Sequence, residues 1–298
     1  MCVAVTGATG FVGSYTVKSL VEVGHRLRAL VRPARDASWL KELGVEICRG
    51  EMTDEEALCT FVEGADVVIH TAYDSTSENQ QLEYLRSNIF GSLTLLELSR
   101  LAKVRQFICT TSTYLLRSDV YTPADVSQAS IVEDSPLISS QNSYIMHNTV
   151  LESACQTYYA QFGINTTAFR CAWIYGVHPN LEKTVWRDIL ETVQTNMKYE
   201  STFGCDVVAV DDVARALTAA VDNPAAFGQV FNLCDMFVYN QELAQLACEV
   251  TGGQAKVIQS KLPKSTAISS EQVKRLGVDV HRGIAGLRAY FEDLHKLL

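Results

Sequence analysis

Thr6-Gly7-Ala8-Thr9-Gly10-Phe11-Val12-Gly13 is the stretch that decides the fold of this chain. Cys2–Thr6 before it is a short apolar run of strand length. Val12–Val23 after it has the length and spacing of an amphipathic helix. Glycines between a strand and a helix let the backbone turn sharply and come close to a phosphate. The helix N-terminus adds N–H groups and a partial positive charge. The GxxGxxG spacing, one residue wider than GxGxxG, therefore reads as the cradle of a dinucleotide pyrophosphate, with Gly7, Thr9, Gly10, Phe11, Val12 and Gly13 against the ligand.

Outward from this turn, apolar runs alternate with helix-length segments, the pattern of a parallel sheet wrapped by helices. Strands are expected at Arg26–Val31, Val45–Arg49, Val67–Thr71, Gln106–Thr110 and Asn165–Arg170, with helices at Asp54–Val62, Leu82–Ala102 and Ser143–Phe162. Thr53 with Glu56 reads as a capping box, and Gly24 and Gly44 as helix C-terminal residues. Beyond Arg170 the pattern changes. A helix near Leu181–Thr195, a strand at Val207–Val210, a helix at Asp211–Val221, a strand at Val230–Leu233 and helices at Asn240–Thr251 and Ile284–Leu297 are expected, with Asp211-Asp212 as a helix N-cap pair. The fold class expected is α/β: a doubly wound Rossmann sheet with a smaller, interleaved C-terminal substrate domain. Residues 1–172 and 206–234 would form the dinucleotide domain, and 173–205 and 235–298 the substrate domain.

The chain has 298 residues, 47% hydrophobic and 20% charged, as in ordinary globular proteins. Its net charge of −9 and the lack of any Lys/Arg cluster argue against nucleic acid. No apolar run is long enough to span a bilayer. The N-terminus has no basic segment and enters a strand directly, which argues against a signal peptide. Nine scattered cysteines without a CxxC pair read as free thiols in a reducing cytoplasm and argue against structural zinc. The six histidines show no metal spacing. A GxSxG elbow and a P-loop are both absent.

An acid at the end of the second strand would bind the adenosine ribose 2′-hydroxyl and repel a 2′-phosphate. Here the strand ends Ala29-Leu30-Val31-Arg32. Arg32 can form a bidentate pair with a 2′-phosphate, helped by Arg35, so NADP is expected over NAD.

From the glycine turn onward the chain resembles the extended and atypical short-chain dehydrogenase/reductase superfamily of nucleotide-sugar epimerases, dehydratases and dihydroflavonol-reductase-like enzymes. Val67-Val68-Ile69-His70-Thr71-Ala72 is similar to the strand whose end flanks the cofactor, so Thr71, Ala72 and Tyr73 are implied there. Asn88 matches the family's structural Asn. Phe107-Ile108-Cys109-Thr110-Thr111-Ser112 resembles the strand ending in the catalytic Ser/Thr, which implies Thr110 at the cofactor and Ser112 at a substrate carbonyl, with Thr111 as the neighbouring candidate. Glu51-Met52 falls where the family contacts adenine. Arg170 and Trp173-Ile174-Tyr175-Gly176 match the segment under the nicotinamide, and Val210-Asp211-Asp212-Val213-Ala214 a late strand-to-helix junction.

In this superfamily a Tyr, a Lys four residues later and a Ser or Thr carry the proton transfer that accompanies hydride transfer. Tyr144 matches the Tyr and Glu152 an acid that follows it, but Asn148 stands where the Lys should be. A phenol with a pKa near ~10 needs a nearby cation to act as a base around neutrality, and Asn148 brings only a hydrogen bond to ribose. His147 points about 100° away from Asn148, which argues against its standing in for the lysine.

Three readings stay open: an oxidoreductase with Tyr144 as proton donor, a slow epimerase or dehydratase, or a dinucleotide-binding sensor or scaffold. The substrate is a small molecule, a nucleotide sugar or a simpler carbonyl or hydroxyl compound. The resemblance also implies a homodimer through helices 82–102 and 143–162.

Overall fold

A parallel strand covered by helices on both faces can be apolar at every position, and β1 (Cys2–Thr6) is buried at all five. The computed structural model describes residues 1–75, 80–116, 130–139, 142–195, 197–261 and 266–298. Eleven further strands follow: β2 (Arg26–Val31), β3 (Glu46–Arg49), β4 (Val67–His70), β5 (Gln106–Ser112), β6 (Asn165–Cys171), β7 (Trp173–Tyr175), β8 (Lys198–Tyr199), β9 (Gly204–Ala209), β10 (Gln229–Leu233), β11 (Met236–Tyr239) and β12 (Lys256–Val257). The α-helices are α1 (Phe11–Glu22), α2 (Ser38–Glu42), α3 (Glu55–Val62), α4 (Gln81–Tyr84), α5 (Gly91–Leu101), α6 (Ser143–Phe162), α7 (Arg187–Thr195), α8 (Val210–Ala219), α9 (Asn240–Thr251) and α10 (Gly283–Leu297).

Seven strands form one parallel sheet in the order β10-β6-β5-β4-β1-β2-β3. The chain steps outward from β1 in both directions, so the winding reverses between β1 and β4. Their carboxyl ends, Thr6 and His70, frame the crevice where doubly wound sheets take ligands. Two apolar cores cover the sheet. One includes Val17 and Leu20 of α1 with Val213 and Leu217 of α8; the other includes Leu58 and Phe61 of α3, Leu95 of α5 and Leu151 of α6. A third core, with Trp186, Leu190, Leu243, Leu287 and Phe291, belongs to the C-terminal part and lies under the small sheet β11-β9-β7.

Several local expectations need correction. The N-cap of α3 is Asp54, whose carboxylate accepts from Ala57 N at 3.0 Å, so Thr53 does not cap that helix. The expected helix 82–102 is α4, a π-helical segment Leu85–Phe90, and α5. The helix near 181–195 is a 3-10 turn at Leu181–Lys183 followed by α7, interrupted by Trp186 in left-handed backbone at φ 58°. Val210 opens α8 instead of closing a strand. Asp211 and Asp212 lie inside the first turn of α8 and do not cap it. Asp212 is buried and pairs with Arg282, Nε to Oδ2 at 2.6 Å and Nη2 to Oδ1 at 2.7 Å, and also with Arg215. Gly24 and Gly44 do sit at helix ends with φ of 81° and 74°. No helix among the described residues is long and apolar enough to cross a membrane.

Candidate active site

The glycine turn is built so that no side chain fits in it. Gly7 has φ 71°, and a Cβ there would sit 2.8 Å from Ala72 N. A Cβ on Gly13 would lie 2.1 Å from the Gly7 carbonyl oxygen. Gly10 N donates to Gly7 O at 2.8 Å, which closes the turn and aims the start of α1 at the crevice. Backbone packed this closely leaves N–H groups as the surface a phosphate would meet.

A groove of about 590 Å³ runs along this turn. Gly7, Thr9, Gly10, Phe11, Val12 and Gly13 line one side. Arg32, Arg35, Glu51 and Met52 line it too, as do Thr71, Ala72 and Tyr73, which follow β4. Arg49, which the sequence reading missed, donates from Nη1 to the carbonyls of Arg32 (3.1 Å), Pro33 (3.4 Å) and Arg35 (2.7 Å). That guanidinium fastens the basic turn from behind. His178 and Lys183, on a loop of the C-terminal part, reach the same groove. Tyr15 OH holds that loop by donating to Val177 O at 2.9 Å.

The switch point itself is set by a buried hydrogen-bond chain. Ser92 Oγ gives its proton to Asn88 O at 2.5 Å and so accepts from His70 Nε2 at 2.8 Å. His70 Nδ1 then accepts from Thr6 Oγ1 at 2.7 Å, and Thr6 Oγ1 accepts from Ala72 N at 3.3 Å. Burial, with the charge of nearby His147 second, pushes the His70 pKa down to about 3, so this imidazole stays neutral. Asn88 pins the next loop through Asp74, accepting from its N at 2.8 Å and donating to its O at 3.0 Å.

A second cavity of about 520 Å³ opens from the first, and Val12, Thr71, Ala72 and Tyr73 line both. Its walls bring together Tyr144 and Asn148 of α6, Thr110 and Ser112 of β5, and Trp173 and Phe237 of the small sheet. Tyr144 meets the rings of Tyr73 and Tyr114 edge-on, with centroids 5.3 and 6.3 Å apart. Ser112 Oγ accepts from Tyr114 N at 3.2 Å, which leaves its proton to donate. Burial pushes the Tyr114 phenol, and the thiols of Cys171 and Cys205, up to about 12, so all three stay protonated. Asn148 is 3% exposed, and its Nδ2 donates to the Tyr144 carbonyl one turn back at 2.7 Å. No Lys or Arg among the described residues lines this cavity.

His147 was discounted from its angle to Asn148, yet it lines the cavity. Its ring stacks on Tyr73, and burial pushes its pKa down to about 4. Arg170 is not among the lining residues, whereas Cys171, Ala172, Trp173 and Ile174 are. It donates to Glu152 from Nε at 2.9 Å and Nη2 at 2.6 Å, and from Nη1 to Glu133 O at 2.9 Å. This fully buried pair ties β6 to α6.

The profile of the NAD-dependent epimerase/dehydratase family matches residues 3–234. A vestitone reductase of Medicago sativa is 25% identical over 293 residues, covering 92% of this chain and 85% of its own. The photosystem II assembly factor Ycf39 of Cyanophora paradoxa is 25% identical over 265 residues, covering 86% and 71%. A crystal structure of a UDP-glucose 4-epimerase with UDP-glucose from Thermotoga maritima superposes with a TM-score of 0.82 at 22% identity, covering 100% of this chain and 99% of that one. On the family match, supported by the Rossmann sheet and the glycine turn at its switch point, the chain belongs to the NAD-dependent epimerase/dehydratase family.

Proposed function

We propose that the chain is an NADP(H)-preferring oxidoreductase acting on a small carbonyl or hydroxyl compound. The observation that carries this reading is the continuity of the two cavities through Val12, Thr71, Ala72 and Tyr73. Gly7–Gly13 would hold the pyrophosphate, and Glu51 and Met52 the adenine side. Arg32 with Arg35 would hold the 2′-phosphate, while Thr71, Ala72 and Tyr73, which line both cavities, and Thr110 and Asn148, which line the second, would meet the nicotinamide half. When bound, the nicotinamide supplies or accepts a hydride. Ser112 donates a hydrogen bond to the substrate oxygen, and Tyr144 gives that oxygen a proton as it becomes an alcohol. The absence of basic side chains among the described lining residues favours an uncharged substrate over a sugar bearing a diphosphate.

In this reading residues 1–172 and 206–234 serve the dinucleotide, and 173–205 and 235–298 the substrate, although β9 pairs with β7 and β11 in the small sheet. Leu82, Phe90, Leu101 and Phe162 are exposed on helices 82–102 and 143–162, which supports a homodimer through those helices.

Asn148 favours a second reading, a dinucleotide-binding protein without turnover, because it brings no charge to the place where the resemblance expects a lysine. One experiment separates the two. NADPH and NADH are titrated by fluorescence, and cofactor absorbance is then followed with a panel of small aldehydes, ketones and nucleotide sugars. NADPH-dependent turnover of a small carbonyl that is lost in Tyr144→Phe supports the oxidoreductase. Tight binding without turnover supports the alternative, and turnover that persists in Tyr144→Phe refutes the role given to Tyr144.

A further inference from the structure

Residues three apart on a helix are surface neighbours, so His147 stands beside Tyr144 on α6. Both rings meet Tyr73, Tyr144 edge-on at 5.3 Å and His147 stacked at 5.7 Å and 28°. Tyr73 lines both cavities, and His147, stacked on it, lines the second beside their junction. The imidazole is 4% exposed, and neither ring nitrogen has a hydrogen-bond partner. Buried polar groups are nearly always paired, and one left unpaired costs free energy that a purely structural residue has no reason to spend. Its neighbour His70 has both nitrogens committed, to Thr6 and Ser92. Asn148 has turned its amide onto the Tyr144 carbonyl.

We infer that His147 is a binding residue for a ribose hydroxyl, that of the nicotinamide-side ribose of a bound dinucleotide, at the junction of the two cavities. The inference rests on the reading that a dinucleotide lies in the groove. A ligand with its pyrophosphate at Gly7–Gly13 and its nicotinamide in the second cavity must pass this junction with that ribose. A neutral imidazole has one donor and one acceptor nitrogen, and a hydroxyl complements either. Burial keeps the ring neutral near pH 7, so His147 supplies direction and a hydrogen bond but no charge. It takes over the ribose contact of the missing lysine without bringing the lysine's charge.

The test uses the full chain with His147→Phe, which keeps a ring against Tyr73, and His147→Gln, which restores a donor and an acceptor. Thermal melting and titration with NADPH and with NADH are the readouts. His147→Phe should melt at or above the wild-type Tm while both dinucleotides bind about tenfold more weakly, and His147→Gln should recover part of the affinity. A structural residue would lower Tm and affinity together, or change neither. Unchanged affinity in a folded His147→Phe protein, with wild type binding normally, overturns the inference and leaves the dinucleotide reading standing. If wild type binds no dinucleotide, both fall. Should His147→Phe fail to fold, ring-nitrogen NMR resonances of wild-type His147 decide. They shift on dinucleotide binding if the inference holds, and stay fixed if trapped water already satisfies them.

Discussion

Lowering the pH from neutrality should weaken this fold through two buried imidazoles before most of its carboxylates begin to protonate. His147 and His70 have folded-state pKa values pushed down from 6.5 to about 4 and about 3, in both cases chiefly by burial. Below the unfolded value the unfolded chain takes up protons that the folded chain refuses, so stability falls with pH down to the folded pKa. Each unit of separation is worth about 1.4 kcal/mol. For His147 this amounts to about 2 kcal/mol lost between about pH 7.5 and pH 5, and about 3 kcal/mol once the folded-state group also titrates. His70 adds a similar loss, partly shared because the His147 charge contributes to its shift. The assay is urea unfolding of wild type and His147→Phe at several pH values across this window. The difference between the two curves removes the contribution of Asp and Glu residues common to both. Wild type should lose about 2 kcal/mol more than the variant between those two pH values. Parallel curves would show that His147 titrates normally in the folded chain and that its burial has been misread.

Gly13→Ala places a methyl group 2.1 Å from the Gly7 carbonyl oxygen, so the turn must open. Dinucleotide affinity should fall at least about tenfold by calorimetry, with about 1–3 kcal/mol of stability lost to overpacking, and an unchanged affinity would show that the cradle is not where the phosphates bind. Arg32→Ala removes charge-assisted hydrogen bonds worth about 1.5–3 kcal/mol, so NADPH should bind about ten- to a hundredfold more weakly while NADH stays within about twofold. Equal losses for both would refute discrimination at Arg32. Arg170→Ala strands the buried Glu152 carboxylate and should cost about 3–5 kcal/mol in urea unfolding, much of it recovered in the Arg170→Met, Glu152→Leu double variant. Asn148→Lys should raise turnover and move its pH optimum downward if Tyr144 lacks only a cation. Continued silence with dinucleotide binding intact would favour the non-catalytic reading.

The first strand, turn and helix were legible because their determinants are local. The run Cys2–Thr6 is of strand length and ends in a glycine turn, and Gly7 and Gly13 hold places where a Cβ would strike backbone. The small sheet was not legible as a unit. β7 and β11 are three and four residues long and are joined only through β9, so their pairing is set by partners distant in sequence. The π-helical segment 85–90 was read as ordinary helix for a related reason. Asn88 within it binds the Asp74 backbone fourteen residues earlier, a contact no periodicity reports. Asp212 was misread likewise, because its partner Arg282 lies 70 residues away.

Within the site, the sequence exposed the departure at Asn148 and set His147 aside as a stand-in for the lysine's charge, which its depressed pKa supports; for a hydrogen bond the comparison is a different one. The angle that matters is not between His147 and Asn148 but between His147 and Tyr144, three residues back on the same helix side. Seen from Tyr144, the lysine of the family motif has two separable duties, a hydrogen bond to ribose and a positive charge near the phenol. In this chain the first has a candidate in a neutral imidazole, and the second has none among the described lining residues. Such a site should hold its dinucleotide whether or not Tyr144 turns a substrate over. This is why binding and turnover must be measured separately.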